Sequence, residues 1–134
     1  MNAVPVPANL QAVVANALAE DIGSGDLTAE LVPASGRATA TVTARERCVV
    51  CGIPYFDEAM HQVDPRTEVT WHVREGDLVA PQTKLCTIAG LARSLLTAER
   101  VALNFLQTLS ATASATRRHV DAVAGTRAKV VDTR

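Results

Sequence analysis

The chain has 134 residues and a formal net charge of −1, and 48% of its residues are apolar. This length suits one ordinary domain, and its core must be mainly aliphatic because only 3% of the residues are aromatic. The first residues do not resemble a secretory signal, and no apolar run reaches the roughly 18–20 residues of a membrane span. These features predict a cytoplasmic protein that has no membrane partner.

The charge is distributed unevenly along the chain. Residues 1–90 contain 6 Lys and Arg against 11 Asp and Glu, whereas residues 91–134 contain 7 against 3. Six of those seven cations are arginines, whose guanidinium groups form bidentate bonds with carboxylates and phosphates. The last third is therefore a candidate for anion binding, although a solvated helix face would have the same composition. Nucleic acid is an unsuitable partner, because dense basic runs and stacking aromatic residues are lacking.

The three cysteines predict neither a disulfide framework nor a metal site. Cys48 and Cys51 form a C-x-x-C motif, but their neighbours are typical of a strand, on which these two side chains would point to opposite faces. No second pair of Cys or His follows at zinc spacing. We expect reduced, structural thiols and no metal-binding residues.

Apolar periodicity predicts an α+β fold for the first part of the chain. The pattern Ala38, Ala40, Val42 and Ala44 indicates a strand with one buried face. Glycines at 23 and 25 indicate a turn that leads into a short helix capped by Asp26 or Thr28. In chain order, the predicted elements are a helix at 9–19, a loop at 20–26, a helical turn at 28–32, strands at 37–44 and 48–51, a helix at 55–63, and strands at 67–74, 78–79 and 85–88.

The last third of the chain has a different character. Residues 94–123 are compatible with helix, except for a softer patch at 110–114 that predicts a break between two helices. A short buried strand at 128–131 would then present polar and cationic residues at its carboxyl end, where barrel enzymes place their chemistry. We therefore expect a domain boundary near residues 105–112.

Two features leave their function open at this point. Arg100 lies inside an apolar helical segment, and its spacing is equally compatible with a salt bridge to a neighbour and with a ligand contact. The segments 73–79 and 84–88 resemble half of a lipoyl or biotinyl carrier domain, which displays a modified lysine at a hairpin tip. Lys84 instead begins a predicted strand, so a carrier-like or binding module without catalysis is kept as an alternative hypothesis.

Three segments together resemble one enzyme family, the quinolinate phosphoribosyltransferases. They are 20–28 (EDIGSGDLT), 96–110 (LTAERVALNFLQTLS) and 131–134 (VDTR), and the similarity extends from about residue 9 to the last residue. The resemblance implies that residues 1–108 form an N-terminal α/β sandwich domain. Residues 109–134 would then be the first helix and strand of a truncated α/β barrel domain that holds most of the active site.

The resemblance also implies a reaction. The family transfers phosphoribosyl from phosphoribosyl pyrophosphate to quinolinate with magnesium, and it yields nicotinate mononucleotide, pyrophosphate and CO₂ for NAD synthesis. Arg100 matches the arginine that reaches from one subunit into its partner's active site, which implies a homodimer. Thr133 and Arg134 match the start of a Thr-Arg-Lys motif after the first barrel strand. These three residues are the implied substrate-binding set, and no catalytic residue is assigned.

The chemistry implied by the resemblance suits these residue types. Quinolinate is a dicarboxylate, and guanidinium groups bind carboxylates well. The reaction needs positioned charges more than a nucleophile or a strong acid or base. Because about half of the expected subunit is missing, we expect the chain to be inactive alone. A sister transferase that acts on another planar acid is the second alternative.

Overall fold

The computed structural model describes residues 5–131, except for the side chain of Leu27. Within this range it has four helices and five strands, so the α+β class is confirmed. The elements in chain order are α1 (Leu10–Ile22), α2 (Leu27–Glu30), β1 (Arg37–Thr43), β2 (Cys48–Val49), α3 (Ile53–Val63), β3 (Glu68–Trp71), β4 (Leu78–Val79), β5 (Lys84–Leu91) and α4 (Ala92–Ala122).

The strands form two antiparallel sheets. The larger sheet has the order β1-β5-β3, and Ile88 in the central strand lies opposite Ala40 on one side and Val69 on the other. Strands β2 and β4 form the smaller sheet, in which Cys48 lies opposite Val79. Because β5 pairs with both β1 and β3, its hydrogen bonds fix the register of the larger sheet.

The core lies between the larger sheet and the helices. Helices α3 and α4 pack against each other, α1 packs against both, and α4 also contacts β5 and β1. Phe56 is fully buried, and its ring meets that of Trp71 edge to face at 5.2 Å between centroids. Such aromatic pairs stabilise a core beyond the area that they bury. The remaining fully buried large side chains are Val14, Val50 and Cys86.

Strand β1 departs from its predicted burial. The four small residues of its predicted inner face were expected to be covered, yet Ala38 and Ala40 are exposed. Val42 is half-buried and Ala44 is buried. The difference arises because the N-terminal part of β1, which is one of the two edge strands of its sheet, is not covered on this face by other described elements.

Helix α4 is continuous, so the predicted break at residues 110–114 is wrong. Serine often interrupts helices because its hydroxyl competes for backbone groups. Here the hydroxyls bind a different segment. The Ser114 Oγ accepts a hydrogen bond from the Val49 N–H at 2.8 Å, and the Ser110 Oγ accepts one from the Cys51 N–H at 3.0 Å. Both serines therefore attach β2 and the residues after it to α4.

The predicted strand at 128–131 is not formed in the described part of the chain. Val130 and Val131 have exposures of 42% and 74%, because no described strand lies beside them. The predicted division between residues 108 and 109 falls within α4, and it stays a prediction.

Candidate functional site

A broad, open groove of about 1190 Å³ lies beside the predicted binding residue Arg100. One wall comes from the end of α1 and the loop after it, and it includes Asp21 and Asp26. The other wall comes from α4, where Leu103 and Asn104 accompany Arg100. The groove thus combines carboxylates, one guanidinium and an apolar surface.

Two glycines shape the loop that forms the first wall. Helix α1 ends at Gly23, whose N–H donates to the Ala19 carbonyl at 3.1 Å and whose φ is +55°. Gly25 has a φ of +152°. Side chains rarely adopt these conformations, so glycine is the residue suited to both turns. The two turns separate Asp21 from Asp26, and both carboxylates line the same groove.

Asp26 connects the loop to both α2 and α4. Its Oδ1 accepts hydrogen bonds from the N–H groups of Thr28 and Ala29 at 3.1 Å each, which makes it the N-cap of α2. Its Oδ2 accepts one from the Thr97 hydroxyl at 2.9 Å. The bond from Ala29, followed by that from Thr97, lowers the pKa of Asp26 below its usual value. The ionised Asp26 side chain therefore links α2 to α4. The predicted cap at this residue is confirmed.

Arg93 holds the other end of α2. Its guanidinium donates to the backbone carbonyls of Val32 and Glu30, the latter at 3.1 Å. These carbonyls lie at the C-terminal end of the helix, where a cation is favourable. Arg93, one of the candidates for anion binding, thus has a structural role. The short helix is attached to α4 at both of its ends.

Arg117 also has a local partner. It donates to the Asp121 carboxylate at 2.7 Å, one turn further along α4, and both side chains are more than half exposed. Such exposed pairs contribute little to stability. Arg117 therefore belongs to a solvated helix face, which was the alternative to anion binding for the arginines of the last third.

Arg100 is largely accessible to solvent in the described structure. Its side chain is 82% exposed, and its Nη1 lies 3.4 Å from the Oδ1 of Asp21, which is 23% exposed. Of the two interpretations that the sequence left open, the salt bridge is observed, and the ligand contact stays a prediction. The salt bridge contacts one nitrogen of the guanidinium, and most of the side chain is exposed to solvent.

The remaining predicted binding residues, Thr133 and Arg134, lie outside the described residues. Asp21 was not identified as the partner of Arg100, because the two residues are far apart in sequence and no local pattern relates them. The contact between Asp26 and Thr97 was missed for the same reason. The only available signal was that both pairs belong to segments 20–28 and 96–110, which carried the family resemblance.

The cysteines do not form a reactive site. All three are free, and burial raises the pKa of Cys51 to about 11 and that of Cys86 to about 12. These thiols are therefore protonated and unreactive at neutral pH. The described residues contain no group of three or more His, Cys, Asp or Glu that could hold a metal ion. No helix in the described range is both long and apolar enough to span a membrane.

Comparison with known proteins identifies relatives of this fold. Residues 26–110 match the family model for the quinolinate phosphoribosyl transferase N-terminal domain. A probable carboxylating nicotinate-nucleotide pyrophosphorylase of Synechocystis is 40% identical over 117 residues, which are 87% of this chain and 40% of that protein. The chloroplastic enzyme of rice is 39% identical over 85% of this chain and 31% of its own length.

Solved structures show the same relationship. The nicotinate-nucleotide pyrophosphorylase from Francisella tularensis superimposes with a TM-score of 0.92 and 36% identity, covering 97% of this chain and 47% of that one. NadC from Streptococcus pyogenes also has a TM-score of 0.92, with 34% identity over 99% of this chain and 48% of that one. The chain thus spans less than half the length of these relatives.

These findings define the class as the N-terminal domain of a phosphoribosyltransferase. The α+β sandwich and the two motif-bearing segments that line the groove agree with this class. The chain belongs to the quinolinate phosphoribosyl transferase family, and it corresponds to the N-terminal part of its members.

Proposed function

We propose that this chain supplies the N-terminal half of a subunit that transfers phosphoribosyl from phosphoribosyl pyrophosphate to quinolinate. The observation that carries the proposal is the exposed guanidinium of Arg100, presented at the groove by the family's own segments. Related tobacco proteins are named decarboxylating quinolinate phosphoribosyltransferases. This name supports a reaction in which CO₂ is lost, and we propose that its product serves NAD biosynthesis.

Arg100 is proposed to bind one carboxylate of quinolinate. A guanidinium can donate two parallel hydrogen bonds to a carboxylate, and such bonds strengthen when the site is closed to water. The apolar groove residues, such as Leu103 and Phe105, offer a surface for a planar ring. This wall therefore offers Arg100 as the partner of one carboxylate and an apolar surface for the ring.

The proposed reaction balances without a protein nucleophile. The ring nitrogen of quinolinate bonds to C1 of the ribose as pyrophosphate leaves, which produces a pyridinium. The adjacent carboxyl group then departs as CO₂, and its bonding electrons are stabilised by the cationic ring. A proton finally replaces the carboxyl group at that carbon and gives nicotinate mononucleotide. The protein mainly positions anions and excludes water.

Magnesium is proposed to arrive with the pyrophosphate substrate. The described residues do not fit a resident metal, because they contain no cluster of suitable donors. Two of the four carboxylates that line the groove are also engaged: Asp26 accepts three hydrogen bonds and Asp21 pairs with Arg100. Magnesium commonly binds through substrate phosphates and few protein ligands, so the remainder of its site belongs to residues outside the described range.

We also propose that the site is completed by a second subunit of a homodimer. The Arg100 side chain is 82% exposed beside an open groove, so few groups of its own subunit surround it within the described residues. A complete site needs further groups around the substrate, and Thr133 and Arg134 are proposed to supply some of them from the partner. In this arrangement Arg100 serves the neighbouring site.

The alternatives receive less support. Lys84 lies in β5 opposite Thr43, within a paired strand and not at a hairpin tip, so the carrier hypothesis lacks its displayed lysine. A sister transferase would use the same domain, and only its substrate would differ. The cytoplasmic location stays a prediction, since the rice relative is named as chloroplastic.

The test uses the full-length gene product that contains residues 1–134. It is assayed with phosphoribosyl pyrophosphate and quinolinate, and with other planar acids in parallel. Arg100→Ala should lower kcat/KM for quinolinate by about 10- to 100-fold, because a lost charged hydrogen bond costs roughly 1.5–3 kcal/mol. Arg117→Ala removes an equally long, exposed cation from the same helix and should leave kcat/KM unchanged.

Two outcomes would reject the proposal. Absence of quinolinate turnover, with turnover of another acid, would favour the sister transferase. Equal kinetics for Arg100→Ala and Arg117→Ala would remove Arg100 from the site.

A further inference from the structure

We infer that Asp21 is a positioning residue that orients the Arg100 guanidinium for the substrate carboxylate. This inference rests on the proposed function of Arg100 and assigns a role to a second residue of the groove. Asp21 and Arg100 come from different elements, the last turn of α1 and the first third of α4. Their contact therefore exists only in the folded domain.

The geometry leaves most of the guanidinium available. The ion-pair contact joins the Asp21 Oδ1 to Nη1 of Arg100 at 3.4 Å. A guanidinium carries five N–H donors, so the edge formed by Nε and Nη2 can still bind a carboxylate in the bidentate manner. Asp21 thus restricts the side chain without occupying its binding edge.

Arg100 needs such restriction because it is long and exposed. Its side chain is 82% exposed, and a free arginine loses considerable rotamer freedom when it binds a ligand. A fixed anion beside one end of the guanidinium removes part of that cost before the ligand arrives. Side chains that are held before binding improve affinity by this route.

Asp21 is itself held on a rigid support. Its side chain is 23% exposed, and it lies in α1, whose Val14 and Leu18 are buried in the core. The loop that follows is attached to α4 through the Asp26–Thr97 hydrogen bond, only one turn before Arg100. The C-terminal end of α1 also carries partial negative charge, which favours a cation at this place. The carboxylate is therefore fixed relative to α4.

The opposite role would be competition. If Asp21 occupied the guanidinium in place of the substrate, its removal would strengthen binding. The single contact at one nitrogen argues against this, since the bidentate edge of Arg100 is not engaged by Asp21. The two roles predict changes of KM in opposite directions, so one experiment separates them.

The test compares Asp21→Asn, Asp21→Glu and a matched control in the full-length gene product. Asp21→Asn should raise the KM for quinolinate about threefold, the effect of one partly exposed ion pair, with kcat and the KM for phosphoribosyl pyrophosphate unchanged. Asp21→Glu restores the charge and should recover part of the loss. Asp121→Asn breaks the exposed pair with Arg117 on the same helix and should change none of these constants.

A second measurement needs no activity. The 134-residue chain is labelled with ¹⁵N-arginine, and the Nε–H signal of Arg100 is identified by its absence in Arg100→Lys. Relaxation of this signal should show faster motion of the Nε–H bond in Asp21→Asn than in the unchanged chain. Asp121→Asn should leave the Arg100 signal as it is. Equal Arg100 dynamics in the unchanged chain and Asp21→Asn would overturn the inference.

The outcomes distinguish the two proposals. An unaltered or lower KM in Asp21→Asn, while Arg100→Ala is impaired, overturns the positioning role and leaves the proposed function standing. Loss of Arg100 order in Asp21→Asn, with normal kinetics in Arg100→Ala, supports the orienting contact and rejects the proposed ligand.

Discussion

Ser114 accepts a hydrogen bond from the backbone N–H of Val49, 65 residues earlier in the chain, with 2.8 Å between N and Oγ. The same hydroxyl donates to the Ser110 carbonyl at 2.6 Å. One side chain thus connects a short strand to a long helix while it satisfies a backbone group within that helix. Because β2 has only two residues, its position depends on such contacts as well as on its pairing with β4.

Ser114→Ala should lower the free energy of unfolding by about 1 kcal/mol, because it leaves the partly buried N–H of Val49 without its partner. Urea denaturation of the 134-residue chain measures this change. Thr116→Ala is the control, since that hydroxyl is exposed and binds only the Thr112 carbonyl. Equal stability of the two variants would show that the Ser114 contact contributes nothing.

Gly52→Ala should destabilise the domain through both strain and a clash. Gly52 precedes α3 with a φ of +107°, and a Cβ there would lie 3.1 Å from the Leu109 Cδ1 and 3.3 Å from the Phe105 carbonyl oxygen. Gly76→Ala provides the comparison, because its φ is +88° but nothing lies within 4 Å of a Cβ. Thermal denaturation should show Gly52→Ala losing about 1–2 kcal/mol more than Gly76→Ala. The reverse order would contradict the packing described at this position.

Asp57→Asn should make the domain as stable or more stable at neutral pH. Burial raises the pKa of Asp57, although the hydrogen bond from Trp71 Nε1 at 2.8 Å acts in the opposite direction. A raised pKa in the folded state means that the carboxyl favours folding when protonated, and this contribution is lost as pH rises from the ordinary value of 3.8 through the higher folded value. An asparagine oxygen can still accept from Trp71 without carrying charge.

The measurement for Asp57 is urea denaturation across the acid and neutral range. The unchanged chain should lose stability relative to Asp57→Asn as pH rises, and the difference should level off near neutrality. Glu68→Gln, on an exposed position of β3, is the control for removal of one carboxylate. A variant that is less stable at every pH would show that the ionised form of Asp57 is required.

Subunit mixing tests the proposed exchange of Arg100 between neighbours. Full-length subunits with Arg100→Ala are mixed with subunits carrying Arg134→Ala, each of which should be strongly impaired by itself. A mixed dimer then has one site with both arginines, and about a quarter of the sites of the unchanged protein should be restored after random exchange. Absence of recovery, when mass spectrometry shows mixed dimers, would indicate a site built within one chain.

Local patterns were sufficient to predict most individual elements. The helix predicted at 55–63 is observed as Ile53–Val63, and the strand predicted at 37–44 is observed as Arg37–Thr43. These elements follow from the spacing of apolar residues and from proline near the start of a helix, which are properties of neighbouring residues. The cap at Asp26 was predictable for the same reason.

The errors have one physical cause, which is dependence on partners distant in sequence. The serines of α4 resemble a helix break until their bonds to Val49 and Cys51 are known. The segment 128–131 has the composition of a strand, but a strand requires a neighbour with which to pair. In the candidate site, Arg100 came from the family resemblance, whereas its contact with Asp21 required the packing of α1 near α4.

Because α4 is continuous, it also determines the direction of the chain that follows it. A straight helix of 31 residues is about 46 Å long, and Arg100 lies in its first third. The direction in which the chain leaves the helix at Ala122 is therefore fixed relative to the Arg100 side chain, because both belong to the same helix. One inserted residue beyond Ser114 would turn everything after it by about 100°, whereas seven would return it nearly to the original phase. The orientation of the residues after α4 relative to the groove therefore depends on the rotation about the helix axis as well as on the helix length.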